Sequence, residues 1–470
     1  MRRLLFSTLV LAFAGCAVGP NYRPPDATTL GVPAGWHAKL PHAGAVTELT
    51  QWWKRFGDPV LTHLIETAEQ NSPTLALAVG KVRATRASVE SSRGALFPSL
   101  SGSGSVTRGK DQFAAVPVLT TTKSASADAA WELDLFGGNR RSLEVNKARL
   151  ASAEAEWHDA RVTLAAEVAD AYTLAREYQN LLSLYAEEFA SRQATEQLTA
   201  LKIREGLTAR SDAFSIEAST ASSANTLESQ KGLYAQQINL LVSLTGLSYA
   251  EIENAVGERR DIPQLRDAIT LALPASIVSQ RPDVRSSERQ LAAASADIGV
   301  AIADRLPSLT LGGAIGINAT RASGSTTMQR TWSFGPSLSV PLFTGGQATA
   351  KVESARARYD QAQASYHSSV QTAVREIEDA LVRIDTIGQR AAFAEKATAN
   401  YRAYFVAIEE SYRAGRSSLL EFEDARRQSL ASQVTLFAVR LEQAQSWIAL
   451  YKAAGGGWDN STAIVAATTR

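Results

Sequence analysis

Ionisable side chains gather around two glycines far apart in the chain. Arg204, Glu205, Arg210 and Asp212 surround Gly206, while Tyr412, Arg413, Arg416, Glu421 and Asp424 surround Gly415. At a chain reversal, groups of these types can pin helix ends together through ionic and hydrogen-bonded pairs. Each pair is worth little while it stays exposed. Their chemistry is therefore the making and releasing of a contact, and nothing else in the chain points to catalysis. The 5 His are scattered, the single Cys stands at position 16, and no glycine-rich phosphate loop is present. His63, His158 and His367 share no spacing that suits a metal and read as surface or packing residues. No enzyme activity, metal or diffusible cofactor is expected. The 48 Lys and Arg nearly cancel the 47 Asp and Glu, so no basic surplus recommends a nucleic-acid partner.

Cys16 has a chemistry of its own. Arg2 and Arg3 precede an apolar stretch from Leu4 to Ala14, followed by Gly15 and Cys16. A charged start and so short an apolar run make residues 1–15 a signal peptide, too short to span a bilayer as a helix. Ala14 and Gly15 before the Cys resemble the bacterial lipobox, with Phe13 where that pattern prefers an aliphatic residue. The resemblance implies cleavage before Cys16, then attachment of diacylglycerol and N-acylation, so the only bound group expected is covalent lipid. Ala17 stands where an Asp marks inner-membrane retention, which implies the outer membrane. Several acyl chains on one residue anchor stably where one does not.

The chain also repeats itself. Asn71-Ser72-Pro73 precedes Phe97-Pro98-Ser99-Leu100, as Gln280-Arg281-Pro282 precedes Leu306-Pro307-Ser308-Leu309. The 209-residue step between these landmarks also carries Gly206 onto Gly415. Leu135-Phe136-Gly137-Gly138 answers to Leu342-Phe343-Thr344-Gly345-Gly346. Between the Pro and Leu-Phe landmarks the period is two. Leu100, Gly102, Gly104 and Val106 alternate with Ser99, Ser101, Ser103 and Ser105. Ala129, Trp131, Leu133 and Leu135 form a second such run; Leu309, Leu311, Gly313, Ile315 and Ile317 a third; Trp332, Phe334, Leu338, Val340 and Leu342 a fourth. The runs predict strands at about 98–108, 125–136, 307–318 and 331–343, each with one apolar and one polar face, as transmembrane β-strands require. Four strands cannot close a barrel alone, and an open edge is not viable in lipid. Several chains must then share one barrel.

After each Gly pair the period becomes seven. Leu143, Leu150, Trp157, Leu164, Ala171, Tyr178 and Tyr185 form one stripe. Val352, Tyr359, Tyr366, Ala373, Ala380, Ile387, Ala394, Tyr401 and Ile408 form another, beside Val370, Ile377, Ile384, Ala391, Phe405 and Tyr412. No Pro interrupts 139–205 or 347–414, so each reads as one coiled-coil helix, roughly 100 Å long at about 1.5 Å per residue. Shorter helices are expected at 72–97, 207–245, 281–306 and 416–452, with Gly206 and Gly415 at the reversals. The expected organisation is a lipidated segment and collar at 16–70, a first repeat at 71–245, a collar linker at 246–280, a second repeat at 281–452 and a tail at 453–470. The Pro- and Gly-rich stretches 17–60 and 246–280 read as a peripheral collar.

Cys16-Ala17-Val18-Gly19-Pro20-Asn21-Tyr22 and Trp52-Trp53-Lys54-Arg55-Phe56-Gly57-Asp58-Pro59 resemble the start of TolC-like outer-membrane factors. Trp131-Glu132-Leu133-Asp134-Leu135-Phe136-Gly137, and Arg281-Pro282-Asp283-Val284 leading to Leu306-Pro307-Ser308-Leu309, are similar to the same family. The nearest branch is that of the NodT-type efflux lipoproteins. The resemblance implies a mixed α and β membrane protein: a homotrimer whose twelve-stranded β-barrel, four strands per chain, continues into a long α-helical coiled-coil barrel. It implies the exit channel of a tripartite pump, passing small toxic compounds from an inner-membrane resistance-nodulation-division pump and a periplasmic adaptor (membrane fusion) protein across outer-membrane lipids. It also implies a periplasmic gate at the helix tips, where family members place a Tyr three residues before the turn Gly and acids six and nine after it. Tyr412, Glu421 and Asp424 fit those places, and Asp212 fits after the first turn. Ser417 stands where the family carries a basic residue, and Arg416 is one position earlier. The alternatives are a channel for type I protein secretion and a structural coiled-coil lipoprotein that forms no pore.

Overall fold

A computed structural model of the chain describes residues 17–25, 32–33, 35–38, 51–111, 118–257, 261–265 and 274–456. The signal peptide, Cys16 and residues 457–470 lie outside the described residues. Two compact units share the elements: 1–26, 80–155 and 285–369 make the first, and 27–79, 156–284 and 370–470 the second.

The first unit holds one antiparallel sheet in the order β1 (Ser99–Asp111), β2 (Val118–Leu133), β3 (Ser308–Ala322), β4 (Ser325–Ser339). Its central β2–β3 pairing joins the two repeats. The period-two patterns fall into register across it. Leu100 faces Ala129, Ala129 faces Gly313 and Gly313 faces Phe334, while the next row is Ser101, Asp128, Ala314 and Ser333. The sheet is therefore apolar on one face and polar on the other. Hydroxyl pairs line the polar face, Ser103 with Ser126 at 2.9 Å and Ser105 with Ser124 at 2.7 Å. On the apolar face Leu100, Val106, Ile315, Trp332, Phe334 and Leu338 are exposed. The outer edges of β1 and β4 have no partner strand among the described residues.

The strands reach further from the helices than their apolar alternation. β2 begins at Val118 rather than near 125 and ends at Leu133 rather than 136. β3 and β4 run to Ala322 and from Ser325, leaving a two-residue turn. Ser323 and Gly324 both have positive φ, 50° and 87°, as the twist-matched hairpin turn demands. The extra residues are mostly Thr, Ser, Lys and Arg, which look like loop but can pair in a sheet.

At the opposite end of the sheet, Asp134 caps the first long helix. Its carboxylate accepts the N–H groups of Asn139 at 3.1 Å and Arg140 at 2.9 Å. Residues 17–21 are seated beside it. The Val18 N–H donates to the Phe136 carbonyl at 3.0 Å, and Arg141 donates to the Val18 carbonyl at 3.0 Å and the Asn21 side chain at 2.8 Å. A Cβ at Gly19 would stand 2.5 Å from the Gly299 Cα, so only glycine permits this approach.

Helices dominate the rest: α1 (Pro59–Asn71), α2 (Pro73–Gly94), α3 (Gly138–Arg204), α4 (Arg210–Thr245), α5 (Tyr249–Gly257), α6 (Pro274–Gln280), α7 (Pro282–Ala303), α8 (Gln347–Arg413) and α9 (Leu419–Ala453). α3 and α8 are each 67 residues long and unbroken. Residues of the seven-residue stripes are buried along them, including Leu164, Ala171, Val352, Tyr366, Ala373, Ala380 and Ile387. The expected helix at 72–97 divides differently, because Ser72 is extended and Pro73 starts α2.

The expected collar packs into the core of the second unit. Trp52, Trp53 and Phe56, with Leu61, Leu64 and Ile65 of α1, pack on Tyr172, Leu241, Ile377 and Tyr451 of the helices. The Trp52 ring stacks on Tyr451 at 4.8 Å. Asp58 caps α1 through the Val60 N–H at 2.9 Å and accepts the buried Tyr172 hydroxyl at 2.8 Å. Three aromatics in a Pro- and Gly-rich stretch supply the anchor that its average composition conceals. His158 is likewise buried.

One carboxyl group in this unit is held at a cost. Burial raises the Asp170 pKa from 3.8 to about 6, with Lys452 opposing and Glu167 adding to the shift. Its Oδ1 is buried without a hydrogen-bond partner among the described residues. Because the folded-state pKa lies above the unfolded one, stability from this group is greatest below pH ~4, falls as pH rises to ~6 and is constant beyond. Asp170→Asn is expected to stabilise by about 2 kcal/mol at pH 7.5 and by nothing measurable at pH 4. Denaturant midpoints at the two pH values check this.

Candidate functional site

The two helix hairpins reverse by the same device. Gly206 and Gly415 both have φ 71°. The Gly206 N–H donates to the Ile203 carbonyl at 3.0 Å and the Leu207 N–H to Lys202 at 2.8 Å. At the second turn Gly415 donates to Tyr412 at 3.0 Å and Arg416 to Ser411 at 2.9 Å. Each is the paired closure that a left-handed residue makes possible at a helix end.

Past the turns the two copies diverge. Ser418 accepts the Glu421 N–H at 3.2 Å, and the Glu421 carboxylate accepts the Ser418 N–H at 2.9 Å, a reciprocal cap on α9. In the first copy Ala209 offers no side-chain cap, and Asp212 instead accepts the Thr208 hydroxyl at 2.5 Å. α4 and α9 therefore begin at 210 and 419, three residues later than the glycine positions suggested.

The second hairpin is tied to α3 by a stack of two rings between two cations. Tyr412, buried, lies flat on Phe422 at 4.8 Å with 4° between the planes. The Lys202 ammonium sits 4.4 Å from the Tyr412 ring, and the Arg426 guanidinium 4.4 Å from Phe422. Arg426 donates to Glu423 at 2.7 Å and, on α3, to Thr195 at 2.9 Å and Ser191 at 3.1 Å. Glu423 also accepts Arg192 at 2.8 Å, and Arg192 reaches Glu188 at 2.6 Å. Burial pushes the Arg426 pKa down, against the pull of Glu423. The first hairpin has no such stack, since Ile203 and Ala213 occupy the positions of Tyr412 and Phe422 in the 209-residue register.

Of the residues singled out in the sequence, only Tyr412 enters this stack. Glu421 is occupied by its cap. Asp424 accepts Gln428 at 2.6 Å and pairs with Arg427, both on its own helix. Arg416 is exposed and makes no ion pair among the described residues. Within one chain, then, Arg416, Glu421 and Asp424 do not contact one another. Lys202, Phe422, Arg426, Arg192 and Glu423 escaped the sequence reading. The four-residue spacings of Phe422 to Arg426 and Glu188 to Arg192 were the available signals. The arrangement can hold or release helix ends, and among the described residues no group of His, Cys, Asp and Glu is placed to hold a metal.

A sheet that is apolar on one face and polar on the other, followed by helices far longer than a bilayer is thick, defines an outer-membrane channel. The chain belongs to the family described as outer membrane efflux protein, whose model matches residues 64–247 and 273–456. The second match begins 209 residues after the first (273 − 64), the step that separates the two turn glycines. The chain is 32% identical over 480 residues to the "Solvent efflux pump outer membrane protein SrpC" of Pseudomonas putida, covering 97% of this chain and 98% of that one. It is 29% identical over 455 residues to "Nodulation protein T" of Rhizobium leguminosarum bv. trifolii, covering 96% of each. Among solved structures the outer-membrane channel OprN is 30% identical, with a TM-score of 0.82 over 94% of this chain and all of the other. The fold class is that of the trimeric outer-membrane efflux channels, mixed α and β, and the protein is an efflux channel of the bacterial outer membrane.

Proposed function

We propose that three copies of this chain close one twelve-stranded barrel and form the exit duct of a tripartite pump. The observation that carries this reading is the four-stranded sheet with two open edges, apolar on one face and lined by hydroxyls on the other. Such a sheet is viable in lipid only when other chains complete it. The duct passively conducts small toxic compounds delivered by an inner-membrane resistance-nodulation-division pump through a periplasmic adaptor. Full-length similarity to a solvent efflux component supports small compounds over secreted proteins as cargo. The amphipathic sheet speaks against a spacer that forms no pore. The chain is read as a passive conduit rather than an enzyme, with no bound group other than lipid on Cys16. Seating of Ala17 against Gly137 beside the first strand–helix junction is compatible with that anchor.

The helix tips are the gate in this reading. The Lys202–Tyr412–Phe422–Arg426 stack fixes the second hairpin within each chain. Arg416, Asp424 and Asp212 remain to pair between chains where the tips converge. Asp424→Ala with Arg416→Ala is expected to raise single-channel conductance in planar bilayers severalfold over a nearly closed parent, without altering oligomer yield. Equal conductance in parent and variant would remove the gate from this account.

A further inference from the structure

The apolar face of the sheet is not apolar along its whole length. Four rows at the helix end carry only uncharged side chains: Leu133, Leu309 and Leu338; Trp131, Leu311 and Pro336; Leu100, Ala129, Gly313 and Phe334; then Gly102, Ala127, Ile315 and Trp332. The next row brings Arg330 beside Ile317, and the one after brings Lys123 between Val106 and Ala319. Beyond them Arg108 and Arg321 flank Thr121, and Lys110 faces Leu119. Five cations thus occupy the outer rows of this face, and all five are exposed. The strand acids whose side chains are described, Asp128 and Glu132, lie on the opposite face. None of the five cations makes an ion pair among the described residues.

A lipid-facing surface selects against charge in its middle and tolerates it at the rim. Tolerance alone explains scattered charges of either sign. It does not explain five of one sign gathered above an apolar band on one face, with no carboxylate among them. Rows two residues apart are about 7 Å apart along a strand, so the basic rows extend roughly 20 Å and can reach more than one headgroup. Lys and Arg at this depth extend their charged ends to the membrane surface. Guanidinium groups can also take phosphate oxygens two at a time.

We propose that Arg108, Lys110, Lys123, Arg321 and Arg330 form a binding surface for phosphate-bearing lipid headgroups at the membrane surface remote from the helices. It rests on the reading of this face as lipid-facing in the closed barrel. Three chains then present a continuous basic ring, and bound lipid phosphates bridge strands within and between chains. The surface recognises phosphate in a lipid, because the apolar rows beneath it hold the acyl chains of the same molecule.

The test uses the full chain reconstituted in phosphatidylcholine vesicles containing roughly one-twentieth bis-phosphorylated lipid A, because charge attraction of about 1 kcal/mol per basic contact allows an enrichment of about fivefold. Lipid A extracted with the purified oligomer is expected to be enriched about fivefold or more over the bulk bilayer, and the enrichment is expected to collapse at high salt. The variant with all five residues changed to Gln is expected to lose the enrichment while still forming conducting pores. Free inorganic phosphate added to the lipid A vesicles is expected not to displace bound lipid A, and vesicles of pure phosphatidylcholine serve as the lipid A-free control for pore formation. No enrichment with the parent protein, or equal enrichment with the variant, overturns the proposal. Pores without enrichment defeat this surface alone; a protein that forms no pore in either vesicle defeats the channel reading. A variant that fails to assemble is replaced by the two pairs Arg108→Gln with Lys110→Gln and Arg321→Gln with Arg330→Gln, each expected to reduce enrichment at least twofold.

Discussion

Trp52→Ala is expected to destabilise the second unit by about 3–5 kcal/mol, the usual cost of deleting a large aromatic from a packed core. Trp52 is only 1% exposed and has three aromatic neighbours, Tyr451 stacked at 4.8 Å, Trp53 edge-on at 5.8 Å and Phe56 at 6.0 Å. The ring joins the segment ahead of α1 to the end of α9, so its loss leaves a cavity between elements distant in sequence. Rigid helices on both sides limit how far that cavity can collapse. Guanidinium midpoints of the detergent-solubilised protein, followed by far-ultraviolet circular dichroism, should fall sharply for Trp52→Ala and less for Trp52→Phe. An unchanged midpoint would show that the collar merely decorates the helices.

A comparable loss is expected from Arg281→Ala. The Arg281 side chain is 8% exposed and forks onto Asp283 at 2.7 and 3.0 Å, with Glu376 at 2.7 Å and the Ala453 carbonyl at 2.8 Å. One guanidinium thus ties the start of α7 to α8 and to the end of α9. Removing it strands two carboxylates near Asp159, whose pKa is already raised by burial and then by Asp283. Breaking a fully buried pair from one side costs about 3–5 kcal/mol, and because the Asp283 and Glu376 side chains are 34% and 41% exposed the loss should lie at the lower end, about 3 kcal/mol. Arg281 is one of the cations that oppose the rise of the Asp159 pKa, so its loss pushes that pKa further up, and the deficit should be larger at pH 7–8 than near pH ~4. Arg281→Lys should recover only part of it, because an ammonium cannot make the fork. The same denaturant titrations, repeated across pH, measure all three effects.

Periodicity made much of this fold readable. The change from period two to period seven at the Gly pairs reflects physical necessity: a half-exposed strand must alternate, and a long helix must present one stripe to its neighbours. Pro98, Pro307 and the two turn glycines were legible because their backbone geometry leaves few other uses. The outer ends of the strands were not, since Thr120 to Lys123 and Ala319 to Arg321 pair through backbone groups that carry no side-chain signature. The collar was hidden for a different reason. Trp52, Trp53 and Phe56 are few among polar and turn-forming residues, and their partners lie more than a hundred positions away.

The tip was legible as a place more than as a mechanism. Gly415 marks the turn, and Tyr412 lies beside it. Glu421 follows a Ser three residues earlier, a spacing that announces a helix cap as readily as a gate charge. The contacts from Arg426 to Thr195 and from Lys202 to Tyr412 cross between repeats, and no local pattern reports them.

The channel requires partner chains to complete the sheet, and the strand edges report directly on whether they do. With Cys16 the only native cysteine, pairs of cysteines introduced along β1 (Ser101, Ser103 or Ser105) and β4 (Thr331, Ser333 or Ser337) report which edges meet. β1 and β4 are the two outer strands of one chain's sheet, so a bond between them in a closed barrel must join different chains. Oxidation in isolated outer membranes should give, for at least one pairing, a ladder of covalent species ending at three chains and absent from either single-cysteine variant. Chains that remain monomeric across the whole scan, or a ladder running past three, would contradict the shared barrel on which the channel depends.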